Sequence, residues 1–127
     1  MQSLRYVGKN LFLEKISLKN FLRENKTPFY IYSENQIIYN FTKFKNIFKK
    51  TDPLICFAAK SNSNVQILKV LGKLGAGVDV VSGGELLKAL KSGVKPKKIV
   101  FSGVGKTEEE LKIAINKNIL LINCESE

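Results

Sequence analysis

Two periodicities alternate along this chain from residue 29 onward. Short apolar runs at residues 29–32, 54–59, 78–81, 98–101 and 119–123 read as strands. Between them, residues 34–49, 64–74, 83–92 and 108–117 carry apolar side chains at helical spacing. The clearest sets are Ile67, Leu68 and Leu71, then Leu86, Leu87 and Leu90, then Leu111 and Ile115. The first 27 residues follow a different pattern. There Leu18, Phe21 and Leu22 fit a short amphipathic helix over 17–25, stopped by Lys26-Thr27-Pro28.

The junctions support the same partition. Four strand-to-helix passages carry Ser or Thr with Glu or Gln three residues on: Ser33/Gln36, Ser63/Gln66, Ser82/Glu85 and Thr107/Glu110. That spacing predicts a capping box, in which hydroxyl and carboxylate or amide satisfy backbone N–H groups at the helix start. Repeated strand–helix units place the chain in the α/β class, with a parallel sheet and helical crossovers. About five strands and four helices are expected, preceded by a short N-terminal segment. A closed eight-stranded barrel needs about 250 residues, and five barrel strands alone would leave edges unpaired. The simpler expectation is therefore the front half of a larger α/β protein, residues 28–127, behind an N-terminal segment, residues 1–27. A five-stranded open sheet is the other arrangement this pattern allows.

Composition narrows the chemistry. The 127 residues include 21 Lys and Arg against 11 Asp and Glu, a net charge of +10. The positive charge is nearly all lysine, with only Arg5 and Arg23, and it is spread along the chain without a nucleic-acid-binding motif. Nucleic acid is not an expected partner. No histidine is present, which excludes imidazole acid–base work and histidine metal sites. Cys56 and Cys124 lack metal-ligand spacing and are expected as buried, reduced thiols. No apolar run approaches the roughly 20 residues of a membrane span. The start of the chain lacks a signal-peptide core, so the expected address is cytoplasmic.

One lysine is unlike the others. Lys60 follows six uncharged residues, Leu54-Ile55-Cys56-Phe57-Ala58-Ala59, and precedes Ser61-Asn62-Ser63-Asn64. It ends a strand and opens a loop, where parallel α/β folds place their chemistry. A lysine held there pays desolvation unless its amine is paired, neutralised or covalently engaged. Asp79 likewise interrupts an apolar strand, Val78-Asp79-Val80-Val81. Two glycine patterns carry no nucleotide site. In Gly103-Val104-Gly105-Lys106-Thr107 the earlier glycine of a phosphate loop would fall on Val100, and Gly75-Ala76-Gly77 precedes a strand with Val80 where the third glycine is needed.

Taken in order, several segments resemble the ornithine/diaminopimelate/arginine decarboxylase family. They are Phe57-Ala58-Ala59-Lys60-Ser61-Asn62, then Gly75 to Leu86 with its Asp79 and Ser82-Gly83-Gly84-Glu85, then Ile99 to Thr107, and Ile122-Asn123-Cys124-Glu125-Ser126. The Ser-Gly-Gly-Glu and Gly-Lys-Thr forms are most similar to the diaminopimelate branch; valine is commoner where Cys124 stands. The resemblance implies that residues 28–127 are the N-terminal part of a parallel (β/α)8 barrel of the alanine-racemase type, with pyridoxal 5'-phosphate attached to Lys60, which is the catalytic residue. It places Asp79 close to the lysine and cofactor and Glu85 among the cofactor-binding residues, with weaker claims for Asn62 and Ser82. It implies a small amino-acid substrate, decarboxylation in lysine biosynthesis, and a homodimer for the complete enzyme. In the family residues 1–27 pack with a second, β-rich domain. The phosphate clamp, the partner of the pyridine nitrogen and the substrate-binding arginine are expected beyond Glu127, in the same polypeptide or in a separate chain carrying the other half. No decarboxylation is expected from these 127 residues alone. The alternatives are an ornithine- or arginine-type decarboxylase, a non-catalytic pyridoxal-phosphate-binding protein, or an inert truncated product.

Overall fold

A computed structural model describes residues 3–126, which divide into two compact units between Lys43 and Phe44. The first unit opens with three antiparallel strands that the apolar pattern did not disclose: β1 (Leu4–Val7), β2 (Asn10–Leu13) and β3 (Ile16–Ser17). Leu4 pairs with Leu13 and Val7 with Asn10 across a Gly8-Lys9 turn, where Gly8 adopts φ +60°. Helix α1 (Leu18–Glu24) follows within the expected bounds. Its end is held by the Asn25 side-chain amide, which donates to the Phe21 carbonyl at 3.0 Å, and Phe21 meets Phe29 edge-on at 5.3 Å.

Helix α2 (Glu34–Ile47) begins at a polar cluster. The Ser33 hydroxyl donates to the Glu14 carboxylate at 2.5 Å, and Asn35 donates to it through backbone N–H and side-chain amide. The Ser33 hydroxyl contributes most to holding the Glu14 carboxyl below its usual range. Ser33 also accepts from the Gln36 N–H, but the Gln36 amide turns to Asn40, so only half of this expected capping box forms.

The second unit is a parallel sheet in the order β4 (Cys56–Ala58), β5 (Gly77–Val80), β6 (Ile99–Phe101), β7 (Leu121–Ile122). Helices α3 (Val65–Lys73), α4 (Gly83–Lys91) and α5 (Glu108–Asn116) make the crossovers. Strand order follows chain order without reversal, as in a barrel; a doubly wound sheet would change direction at a switch point. In register, Ala58 lies opposite Asp79, Val78 opposite Ile99, Val80 opposite Phe101, and Val100 opposite Leu121.

Side-chain alternation divides this sheet into two unlike faces. Val78, Val80, Ile99 and Phe101 point to one side and are fully buried in a cluster with Leu68, Leu86, Ala89 and Ala114 from the three helices. Each large side chain there contributes roughly 1.5–3 kcal/mol of burial. The other face carries Cys56, Ala58, Asp79, Val81 and Val100, all half-buried, and Leu121, which is exposed.

The structure corrects several expectations. Residues 29–32 form no strand: no ladder engages them among the described residues, and Tyr30 is 91% exposed. Strand propensity alone does not order a segment whose N–H and C=O groups lack partners. The sheet of this unit therefore has four strands where five were expected. Strands β4, β6 and β7 are also shorter than their apolar runs, because the ladder ends before the apolar residues do, and β5 starts one residue early, at Gly77; Ile119 is buried ahead of β7 without joining it. Helix α3 is capped by Asn64 and not Ser63. The shorter reach of an Asx side chain satisfies the Gln66 N–H two residues on, and Ser63 instead accepts from Lys88. Cys124 lies past the last strand and is exposed; Cys56 is half-buried, and both are free thiols.

Gly77 opens β5 where a side chain has no room. A Cβ there would sit 2.5 Å from the Lys98 carbonyl oxygen and 2.7 Å from the Cys56 sulfur. Gly77→Ala is expected to cost about 1–3 kcal/mol by overpacking, read as a lower urea midpoint; an unchanged midpoint would refute this fit.

Candidate active site at the C-terminal end of the sheet

The carboxyl ends of β4, β5, β6 and β7 bring the chemistry-bearing side chains to one end of the parallel sheet. Lys60 does not continue β4. Ala59–Ser61 form a single 3-10 turn, with the Ser61 hydroxyl donating back to the Ala58 carbonyl at 2.8 Å. Ala59 is fully buried and anchors the turn, whereas Lys60 is exposed. Its amine forms no hydrogen bond or ion pair among the described residues. The desolvation expected for a lysine at the end of an apolar strand is therefore not met: the turn lifts the side chain out of the sheet.

Asp79 sits in β5 opposite Ala58, two residues before Lys60. Its Oδ1 accepts from the Ser102 hydroxyl at 2.6 Å, and the Ser102 oxygen accepts from the Asn123 amide at 2.9 Å. Backbone bonds carry the same alignment, from the Ser102 N–H to the Val80 carbonyl and from the Asn123 N–H to the Phe101 carbonyl. Cys56 lies on this face as well; burial first, and then the Asp79 charge, push its thiol above the usual value.

Glu85, Ser82 and Asn62 have structural duties. Ser82 caps α4 by accepting from the Glu85 N–H, while the Glu85 carboxylate turns back to the Val81 N–H at 2.9 Å. The return arm thus lands one residue before the expected capping-box partner. Asn62 accepts from the Asn64 N–H at 3.0 Å, shaping the approach to α3. These bonds leave the Ser82 proton, one Glu85 oxygen and the Asn62 amide without an assigned partner among the described residues.

Three contributors escaped the sequence reading. Ser102 and Asn123 each stand one residue past a strand, on the Asp79 side by period two; that parity was the available signal. Lys106, set aside with its phosphate-loop look-alike, has a side chain only 8% exposed. Its amine donates to the Gly103 carbonyl and pairs with Glu125 at 2.8 Å, and it lies 6.0 Å from the Phe101 ring centre. It ties the loop after β6 to the segment after β7. No group of three or more metal-ligating side chains occurs among the described residues, and no helix there is long and apolar enough to cross a membrane.

A primary amine beyond β4 and a partly satisfied carboxylate on the neighbouring strand β5, with small residues at Cys56, Ala58 and Gly77, suit a carbonyl-bearing aromatic cofactor with a ring to seat. Comparison with known proteins agrees with that chemistry. The model of the family "Pyridoxal-dependent decarboxylase, pyridoxal binding domain" matches residues 34–127, and the chain belongs to this family, whose cofactor is pyridoxal phosphate. Its relatives include the diaminopimelate decarboxylase of Aquifex aeolicus, 48% identical over 97% of this chain, and that of Helicobacter pylori strain J99, 52% identical over 80%. The crystal structure of diaminopimelate decarboxylase from M. jannaschii in co-complex with L-lysine superposes with a TM-score of 0.91 at 36% identity, covering 96% of this chain and 30% of that one. The chain spans 29% and 25% of the length of the two curated relatives. The four-strand sheet thus matches the N-terminal part of the decarboxylase barrel.

Glu110 braces this end of the sheet. It completes a full capping box with Thr107, and its other oxygen accepts from the Gly83 N–H at 2.6 Å, joining the starts of α4 and α5. The Thr107 and Gly83 N–H groups hold its carboxyl below the usual range. A depressed carboxylate stabilises the fold above its unfolded-state value of about 4.3 and loses that contribution as pH falls through the folded-state value. Glu110→Gln, uncharged throughout, is expected to lose less stability than the parent between about pH 6 and pH 3. Urea midpoints across that range check this; equal losses would show that the Glu110 charge is not engaged.

Proposed function

We propose that this chain is the cofactor-anchoring portion of a diaminopimelate decarboxylase, acting on a small diamino-dicarboxylate in lysine biosynthesis in the cytoplasm. The carrying observation is the exposed Lys60 amine at the carboxyl end of β4, two residues past Ala58, the register partner of Asp79. Lys60 is the attachment residue, because a primary amine is the side chain that forms a reversible covalent link with an aldehyde cofactor. When bound, pyridoxal phosphate supplies an electron sink for carboxylate loss.

Asp79 orients and charges the space beside that amine. Glu85 has one carboxylate oxygen left for a ligand, and Ser82 and Asn62 contribute a hydroxyl and an amide at the loop rim. Cys56, Ala58 and Gly77 keep the sheet surface beneath low enough to admit a planar ring. The small-molecule substrate is taken from the relatives' activity, as is assembly of the complete enzyme into a homodimer. Residues 1–27 serve as a packing segment for a second domain and residues 28–127 as the first part of the barrel. The second unit contains no arginine to clamp a phosphate or a substrate carboxylate; the two arginines of the chain are Arg5 and Arg23, in the first unit. Decarboxylation accordingly requires further barrel and domain elements, supplied in the same polypeptide or by a second chain.

Pyridoxal phosphate added to the purified chain should produce the absorption band of a lysine-bound cofactor, and Lys60→Ala should abolish it. A band that persists in Lys60→Ala would move the attachment elsewhere. Measurable CO2 release from meso-diaminopimelate by the 127-residue chain would overturn the division of labour.

A further inference from the structure

Across the sheet's open face runs a line of three polar side chains, each from a different strand's carboxyl end. Asn123 donates its amide to Ser102, and Ser102 spends its single O–H proton on Asp79 Oδ1. The second Asp79 oxygen has no partner among the described residues. We infer that Ser102 and Asn123 are positioning residues for Asp79, fixing one carboxylate rotamer so that the free oxygen faces the ligand space beside Lys60.

Three observations carry this. A neutral hydroxyl that both accepts from an amide and donates to a carboxylate is polarised along one direction, which favours a single arrangement of all three groups. The far end of the line is itself anchored: Lys106 holds Glu125, two residues after Asn123, and the Asn123 N–H is bound to the Phe101 carbonyl. The row lies on the half-buried face and outside the apolar core cluster, so its bonds are not needed to fill space. The inference rests on the cofactor reading above for what Asp79 faces, but the anchoring of Asp79 can be read without any cofactor.

Cys56 is the reporter, because the Asp79 charge acts on its thiol. In a Cys124→Ala background, the rate of iodoacetamide alkylation is measured against pH. Asp79→Asn should shift the profile of Cys56 to lower pH. Ser102→Ala and Asn123→Ala should shift it part of the way, as the released carboxylate turns to solvent, and Ser102→Thr should restore the parental profile. Ser102→Ala should add nothing once Asp79 is Asn. A Ser102→Ala profile identical to the parent, or the same shift in both Asp79 backgrounds, overturns the positioning role.

Pyridoxal phosphate titration supplies the second arm. Ser102→Ala should weaken uptake by roughly tenfold in the parent and leave uptake unchanged in Asp79→Asn. Equal weakening in both backgrounds overturns the role toward the ligand. A parent chain that takes up no cofactor overturns the functional reading, while the thiol profiles still decide whether Ser102 and Asn123 anchor Asp79.

Discussion

The alternation of β5 governs what the second unit can be. Val78 and Val80 point into a core sealed by α3, α4 and α5, and Asp79, between them, points to the opposite face. A shift of one residue in register would bury the carboxylate among Leu68, Leu86 and Phe101 and expose two valines. That exchange costs several kcal/mol, since an isolated buried charge is not tolerated without a partner. One apolar face thus fixes the register, and the register delivers Asp79 opposite Ala58. Parallel sheets are ordinarily covered on both faces. Here the helices cover one, and the sequential strand order is that of a barrel wall, whose inner face is met by its own far side.

At the carboxyl end of the wall, caps and catalytic-face residues compete for the same side chains. Ser82 and Glu85 are engaged with backbone N–H groups, yet each retains one polar function without a partner among the described residues. Glu110 reaches between two helix starts, and Gly83 permits the approach: a Cβ there would meet the Glu110 side chain at 2.9 Å. These bonds organise loops that carry little apolar burial of their own. Rigidity at this end therefore comes from directed hydrogen bonds, while the helix-covered face supplies the bulk of the stability.

Much of this was legible in the sequence because local signals agreed with the fold. The periods of α2 to α5 and the Thr107/Glu110 box were readable, and the parallel sheet followed from their alternation. What failed did so for definable reasons. Residues 29–32 have strand composition, but a strand is a pairing, and composition does not say whether a partner is present. The N-terminal hairpin is short and exposed, so it leaves almost no alternation to read. Ser63 lost the cap of α3 to Asn64 because adjacent residues offered two acceptors and only geometry chose between them. The Lys60 segment was conspicuous, whereas the Asn123–Ser102–Asp79 line joins residues 21 to 23 apart and emerges only when three strands lie side by side.

Lys60 is the case where the sequence and the structure disagree about an environment. A lysine after six uncharged residues suggests a desolvated amine, but the 3-10 turn at Ala59–Ser61 leaves it exposed. Burial by this chain alone thus cannot set its reactivity. The neighbouring strand carries the Asp79 carboxylate opposite Ala58, on the open face of the sheet. Closing a wall over that face would remove water and strengthen each fixed charge at once. The same closure would make the orientation of Asp79 matter more, since a carboxylate misdirected by one rotamer is corrected by water when exposed and is not when enclosed. The demand on Ser102 and Asn123 therefore grows as the site becomes more complete.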